Sequence, residues 1–265
     1  MRPLYIVSVF LVVTAVSQTP GSVQAQSVGN APPKWGYKGD IGPTRWGSIS
    51  NDFKMCADGM QQSPIDLIGA DDVSVEPLTT NYQASPMVMV NTGNSIQVKV
   101  SGFNFVKLGM KQFDLKQFHF HTPSEHSLGG FHYAMEVHFV NQAFDGQLVV
   151  IGVFIMEGEE NKTLKTIWEH LPTQIGAEQS IGGVTINPHD LIPQTSQAFN
   201  YLGSLTTPPC TEGVTWYVLS EPITASMEQI AQFRATVGLN ARPTQPYNCR
   251  TIHEFPFVKG GVKLW

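Results

Sequence analysis

The run Gln117-Phe118-His119-Phe120-His121 alternates apolar and polar side chains at every step. Only a β-strand sorts residues with a period of two, because successive side chains point to opposite faces. A helix would scatter the same five residues around its circumference. The run therefore demands a strand with Phe118 and Phe120 on one face and His119 and His121 on the other. A second alternating run, 133–140, carries His138, with Glu136 two residues before it on the same face. Three neutral imidazoles from two neighbouring strands suit an open zinc site, with the fourth tetrahedral position left for water. Glu136 is spaced to accept the ring N–H of His138, and the Gln117 amide oxygen that of His119. Metal-bound histidines need such partners to fix tautomer and orientation. Any one of these histidines alone would be an ordinary strand residue satisfied in the core. The combination points to a metal, and the lack of a nearby cysteine or fourth ligand argues against a closed structural site.

The chain opens with Arg2, an apolar run over 4–16 and the small-residue pattern Val23-Gln24-Ala25. This reads as a signal peptide over 1–25, with an apolar part too short for a membrane span. It predicts a periplasmic or secreted protein with no span in the mature chain. Removing it takes away Arg2 and no acid, moving the net charge from −5 by one unit to −6. That acidic balance and the absence of basic runs argue against nucleic acid or anionic membrane as a partner. Export permits a disulfide among Cys56, Cys210 and Cys249, and three pairings are open. Asn161-Lys162-Thr163 fits a glycosylation acceptor in a eukaryotic host.

Alternating or β-rich runs recur at 96–100, 103–108, 117–122, 133–140, 147–156 and 214–219. Those at 103–108 and 147–156 are apolar enough for central, buried strands. Helices are few. One is expected over 163–171, with Leu164, Ile167, Trp168 and Leu171 at helical spacing. Another is expected over 224–237, with Thr224 as N-cap, Gly238 as stop and a stripe of Met227, Ile230, Phe233 and Val237. Residues 26–62, rich in Trp, Gly and Pro, read as an irregular wrap over the sheet. Neither a repeat nor a linker divides 26–265, which reads as one mainly β domain.

Further motifs fall into one order: Trp35-Gly36-Tyr37, Gln62-Ser63-Pro64-Ile65-Asp66, Ser124-Glu125-His126, residues 204–210, Val214-Thr215-Trp216 and Glu221-Pro222-Ile223. With the histidine strands between them, the chain resembles the α-class carbonic anhydrases from about residue 35 to 255. Its compact loops are more similar to bacterial, exported members than to animal ones. The resemblance implies a catalytic domain over 26–265, built on a large twisted sheet of about ten mostly antiparallel strands with a few short surface helices. It implies Zn²⁺ on His119, His121 and His138 at the bottom of a conical cleft, with Gln117 and Glu136 behind the ligands. It also selects the Cys56–Cys210 bridge, leaving Cys249 odd, either a buried thiol, the more ordinary outcome, or an intermolecular bridge. Ser63-Pro64 and Pro208-Pro209 fall where the family has cis bonds.

The implied reaction is reversible hydration of CO2 to bicarbonate and a proton by a zinc-bound hydroxide. Zinc lowers the pKa of its water to about 7, a value already known for carbonic anhydrases. By the same resemblance Thr206 accepts the hydroxide's proton and donates its own hydroxyl to Glu125, which orients the nucleophile. Val140, Val150, Leu205, Thr207, Val214 and Trp216 match the pocket that receives CO2. One position departs. Fast members carry a shuttle histidine where this chain has Asn94, and an amide does not titrate near neutrality. Proton export is then expected to lean on buffer or on water ordered by Tyr37. His126 is implied to be a buried structural residue, and His132, His170, His189 and His253 are expected at the surface. The alternative functions are an inactive binding domain of the same fold and a dedicated zinc esterase. All three zinc histidines are kept, and neither a His-Glu-x-x-His helix nor a Gly-x-Ser-x-Gly elbow is present. The assembly is expected to be a monomer or a homodimer.

Overall fold

The computed structural model describes residues 33–72 and 78–260, so the expected leader at 1–25 lies outside the described residues. The stretch 33–62 is a series of 3₁₀ turns and two one-turn helices, α1 (Trp46–Ile49) and α2 (Met55–Asp58). Trp46 pins it: the ring is fully buried, and its N–H donates to Gly36 O at 2.8 Å and Ile41 O at 3.1 Å.

The strands are β1 (Asp66–Leu67), β2 (Asp71–Asp72), β3 (Leu78–Asn81), β4 (Ser85–Asn91), β5 (Ile96–Lys99), β6 (Phe105–Leu108) and β7 (Lys111–His121). They continue as β8 (Ser127–Leu128), β9 (Met135–Gln142), β10 (Leu148–Glu157), β11 (Glu178–Ile186), β12 (Thr195–Ser204), β13 (Glu212–Ala225) and β14 (His253–Val258). β1 and β8 form a small parallel pair. Ten of the others run across one sheet in the order β11-β4-β5-β7-β9-β10-β13-β12-β14-β2, and β6, with β3 beside it, also pairs with β7. Among the described residues the sheet thus has twelve strands, antiparallel throughout except at β10–β13 and β14–β2. No helix among them is long and apolar enough to cross a membrane.

Alternation sorts the central strands into two faces. Phe118, Phe120, Val137, Phe139, Val149, Ile151 and Val153 belong to the larger core. Helices α3 (Lys162–Trp168) and α4 (Met227–Val237) cover it, burying Leu164, Ile167, Trp168 and Phe233. Phe120 meets the Trp168 ring edge-on at 4.8 Å, and Trp168 stacks on Phe233 at 5.2 Å. Such pairs add ~1 kcal/mol each beyond burial. On the opposite face Val150, Phe154, Val214, Trp216 and Val218 pack with Ile65 and Tyr201.

Three local expectations need correction. Ser226, not Thr224, caps α4, through a capping box with Gln229, because β13 runs on to Ala225 and holds Thr224 in the sheet. Met227 is exposed, so the stripe is anchored by Phe233 rather than by its first member. Phe103 is 81% exposed and precedes β6, whose run is only partly buried. Asn161 serves as the N-cap of α3, its side chain accepting from Thr163 N and Leu164 N, a contact worth ~1 kcal/mol.

Candidate metal centre and active-site cavity

Apolar residues on β7 fall at 113 and 115, then at 118 and 120. The register with β9 slips between Leu115 and Gln117, which marks a β-bulge at Lys116. One extra residue reverses the parity of the strand. Phe113, Leu115, Phe118 and Phe120 therefore all face the larger core, while His119 and His121 turn to the other side. In a regular strand both imidazoles would point into the core beside Phe113 and Leu115. Across the ladder His119 stands opposite His138, and His121 opposite Glu136.

The three ring centroids are 5.0, 5.4 and 4.6 Å apart, and one nitrogen from each ring lies within 4.8 Å of the other two. Hydrogen bonds set the tautomers. His121 Nδ1 lies 2.8 Å from Asn240 O, which can only accept, so Nδ1 carries the proton and Nε2 is bare. His119 Nδ1 donates to Gln117 Oε1 at 2.8 Å, leaving its Nε2 bare as well. His138 Nε2 stands 2.9 Å from Glu136 Oε1, off the best line for a hydrogen bond, and its Nδ1 lies 3.9 Å from Glu125 Oε2. Burial, helped by His121 and His138, holds the His119 imidazole well below its ordinary pKa. Burial brings His121 down to about 4, against the pull of the Asn240 carbonyl. At neutral pH both are neutral donors. His121 Nε2 and Glu125 Oε2 are buried 3.5 Å apart, and neither has a hydrogen-bond partner among the described residues. Two neutral imidazoles with bare Nε2 lone pairs, gathered with the His138 ring at one spot, fit a zinc ion and would also accept cobalt or iron.

Behind the ligands lies a buried polar chain. Glu136 accepts from the backbone N–H of Glu125 at 2.8 Å and of His126 at 2.9 Å, and from His126 Nδ1 at 2.8 Å. Since His126 donates from Nδ1, its Nε2 accepts from Tyr201 Oη at 2.7 Å, and Tyr201 accepts from Ser63 Oγ at 2.8 Å. Burial alone would raise the Glu136 carboxyl, but His126 and His138 beside it hold it well below the usual range. Glu125 differs. Burial pushes its carboxyl up to about 7, against smaller opposing effects of His138, the Arg242 N–H and the Thr206 hydroxyl.

Two residues that sequence reasoning did not reach complete the arrangement. Besides holding His121, Asn240 accepts from Thr122 N through Oδ1 and donates from Nδ2 to Asn94 O and Phe120 O. Arg242 donates its backbone N–H to Glu125 Oε1 at 2.8 Å. Its buried guanidinium reaches Gln62 Oε1, Ser63 O and Cys56 O at 2.7–3.0 Å and lies over the Trp46 ring. Both belong to an irregular segment with no periodicity. The one available signal was a lone cation between Arg234 and Arg250.

The three converging histidines open onto a cavity of about 450 Å³. Val140, Val150, Leu205 and Trp216 make an apolar wall, faced by Tyr37, Asn94 and Gln117, with Thr206 and Thr207 also lining it. Val214 does not line it and is buried in the cluster behind the wall. Asn94 stands on the polar side, its amide 3.4 Å from Trp35 O. Burial first, then Glu125, raises the Tyr37 phenol well above its ordinary value. His126 is fully buried; His132 is exposed, His170, His189 and His253 are half-buried, and none of the five lines the cavity. Cys56 and Cys210 are joined, and Ser63-Pro64 and Pro208-Pro209 are cis. Cys249 is exposed rather than buried, in a turn where it and Asn248 both have positive φ.

The family described as eukaryotic-type carbonic anhydrase matches residues 41–255. A carbonic anhydrase of Nostoc sp. is 43% identical over 225 residues, covering 83% of this chain and 85% of the relative. One from Pectobacterium carotovorum is 40% identical over 219 residues, covering 82% and 89%. Among solved structures, the α-carbonic anhydrase from Thermovibrio ammonificans in complex with the inhibitor sulfanilamide is similar with a TM-score of 0.81. It is 41% identical and covers 84% of this chain and all of that one.

Proposed function

This chain is an enzyme of the eukaryotic-type (α) carbonic anhydrase family, and from that premise we propose that it hydrates CO2 reversibly with zinc held by His119, His121 and His138. The observation that carries the assignment of the metal is the convergence of the three imidazoles, with the proton of two of them fixed on the outward nitrogen by Gln117 and Asn240. Zinc at that position supplies the Lewis acidity that makes water a nucleophile near neutral pH.

The protein's own groups do the rest. Gln117 Oε1, Asn240 O and Glu136 keep the ligand rings oriented, so that no reorganisation is needed when charge develops. Thr206 accepts a hydrogen bond from the attacking water and turns its own hydroxyl to Glu125. Glu125 Oε2 has no hydrogen-bond partner among the described residues and so is open to that contact, and Oε1 is held by the Arg242 N–H. Val140, Val150, Leu205 and Trp216 offer CO2 an apolar surface without a strong binding group. Asn94 and Tyr37 border the exit, and neither takes up a proton near neutrality, so export of the proton leans on buffer. Export of the protein to the periplasm or medium is supported by the Cys56–Cys210 bridge and by the leader pattern at 1–25. The mature chain acts as a monomer or a homodimer.

The test combines metal analysis with stopped-flow CO2 hydration on the purified protein, before and after chelation and after zinc is restored. Zinc near one per chain, loss of hydration on chelation and its return with zinc are expected. Hydration that persists without metal would overturn the zinc centre. Zinc bound without hydration would turn the assignment to a binding domain.

A further inference from the structure

From Leu148 to Met156 strand β10 is an apolar run broken once, by Gly152. Glycine in a central strand weakens it, and its presence marks a place where another group must come close. Gly152 stands opposite His138 in the β9–β10 ladder and opposite Val218 in β13. It lies on the histidine side of the sheet, between Val150 and Phe154. Its φ is not in the left-handed region, so the backbone would accept any residue. A Cβ at this position would stand 2.8 Å from Glu136 Oε1, closer than such atoms approach, but at an ordinary 3.4 Å or more from Val218. The oxygen it would strike is the one 2.8 Å from His126 Nδ1 and 2.9 Å from His138 Nε2.

We propose that Gly152 is a positioning residue for the metal centre: its missing side chain is the space that lets one Glu136 oxygen meet His126 and His138 together. The proposal rests on the zinc assignment above. Displacing that oxygen by a few tenths of an ångström lengthens the contact to His138 and loosens its ring. Removing a partner behind a metal ligand costs ~10–100-fold in metal affinity. Gly152→Ala adds the obstruction without touching any ligand.

The experiment is a double-mutant cycle read by zinc affinity, measured by chelator competition on the full chain, with thermal unfolding of the metal-free proteins alongside. Gly152→Ala is expected to weaken zinc binding ~10-fold or more in the otherwise unchanged protein. In a Glu136→Ala background, where no carboxylate remains to be struck, the same change should cost less than ~2-fold. Equal losses in both backgrounds would assign Gly152 a packing role and overturn the proposal, as would no loss in either. If Gly152→Ala fails to fold, recovery of folding by Glu136→Ala supports the clash, and failure of both overturns it. An unaltered protein that binds no zinc would instead refute the metal assignment, while the metal-free unfolding cycle would still report on the pair.

Discussion

Asn94→His is the change that most directly tests how this site loses its proton. Of the side chains lining the cavity, only the three ligand histidines and Tyr37 titrate at all, and the Tyr37 phenol is held well above its ordinary value. On the proposed mechanism, the proton released in each turnover would therefore pass to dissolved buffer. At ~1 mM buffer and an encounter constant of ~10⁸ M⁻¹s⁻¹, removal runs at ~10⁵ s⁻¹. That is tenfold below the ~10⁶ s⁻¹ already known for carbonic anhydrases. Imidazole in place of the Asn94 amide adds an acceptor that titrates near neutrality inside the cavity. The variant should show kcat about tenfold above the unaltered protein at ~1 mM buffer, and the two should converge near ~50 mM, where buffer no longer limits. The ratio kcat/KM for CO2 should not change, because the attack itself is untouched. Stopped-flow hydration with a pH indicator, over that buffer range, measures both. An unaltered protein whose kcat is already flat from ~1 to ~50 mM buffer would refute the reasoning.

Other parts of the structure give equally direct expectations. Arg242→Met strips the donors from Gln62 Oε1, Ser63 O and Cys56 O and should cost ~3–5 kcal/mol in urea unfolding; a loss under ~1 kcal/mol would show those acceptors find water. His121 has its pKa lowered from 6.5 to about 4 by burial, so in the metal-free protein its contribution is complete above pH 6.5 and lost as pH falls toward 4, ~3 kcal/mol in all. Glu125, raised from 4.5 to about 7, acts with the opposite sign, being most favourable below pH 4.5 and lost as pH rises through 7. With His119 lowered too, metal-free stability should still rise with pH between 4.5 and 6.5, and a fall across that window in pH-dependent denaturation would contradict it. Val150→Phe fills the apolar wall and should lower kcat/KM for CO2 ~10-fold or more while zinc content stays constant; unchanged kinetics would remove Val150 from the substrate path.

What the sequence made legible follows from where each role is encoded. The three histidines were readable because their side chains carry the chemistry and the strand period sorts them. The bulge is not legible in the same way: the strand run expected at 117–122 starts after it, and the step from apolar residues at 113 and 115 to 118 and 120 acquires its meaning only from the ladder register. Glu125 and Thr206 sit in short irregular segments, and only the family resemblance singled them out. Asn240 and Arg242 reach His121 and Glu125 through a backbone carbonyl and a backbone N–H, so residue type said nothing of those contacts, and the lone cation at 242 was the one trace of the segment. Several strands escaped for related reasons. β11 lies at the edge of the sheet and is mostly exposed, with Gly182 and Gly183 inside it. β14 contains Pro256, tolerated because the β2 pairing reaches only His253 and Glu254. In β4 the core positions are filled by Met87 and Met89 rather than by typical strand residues.

The segment holding Asn240 and Arg242 also bears on the order of events during synthesis. β7, β9 and β10 are consecutive antiparallel neighbours, so the three imidazoles can gather as soon as that meander forms. The proton on His121 and the seat of Glu125 depend on partners 119 and 117 residues further along, and Arg242 in turn grips residues 180 and 186 positions behind it. Contacts of such separation form late. A ribosome therefore delivers all three histidines long before Asn240 and Arg242, and the nascent chain carries a His121 ring and a Glu125 carboxyl without these partners until residue 242 has been added and folded back.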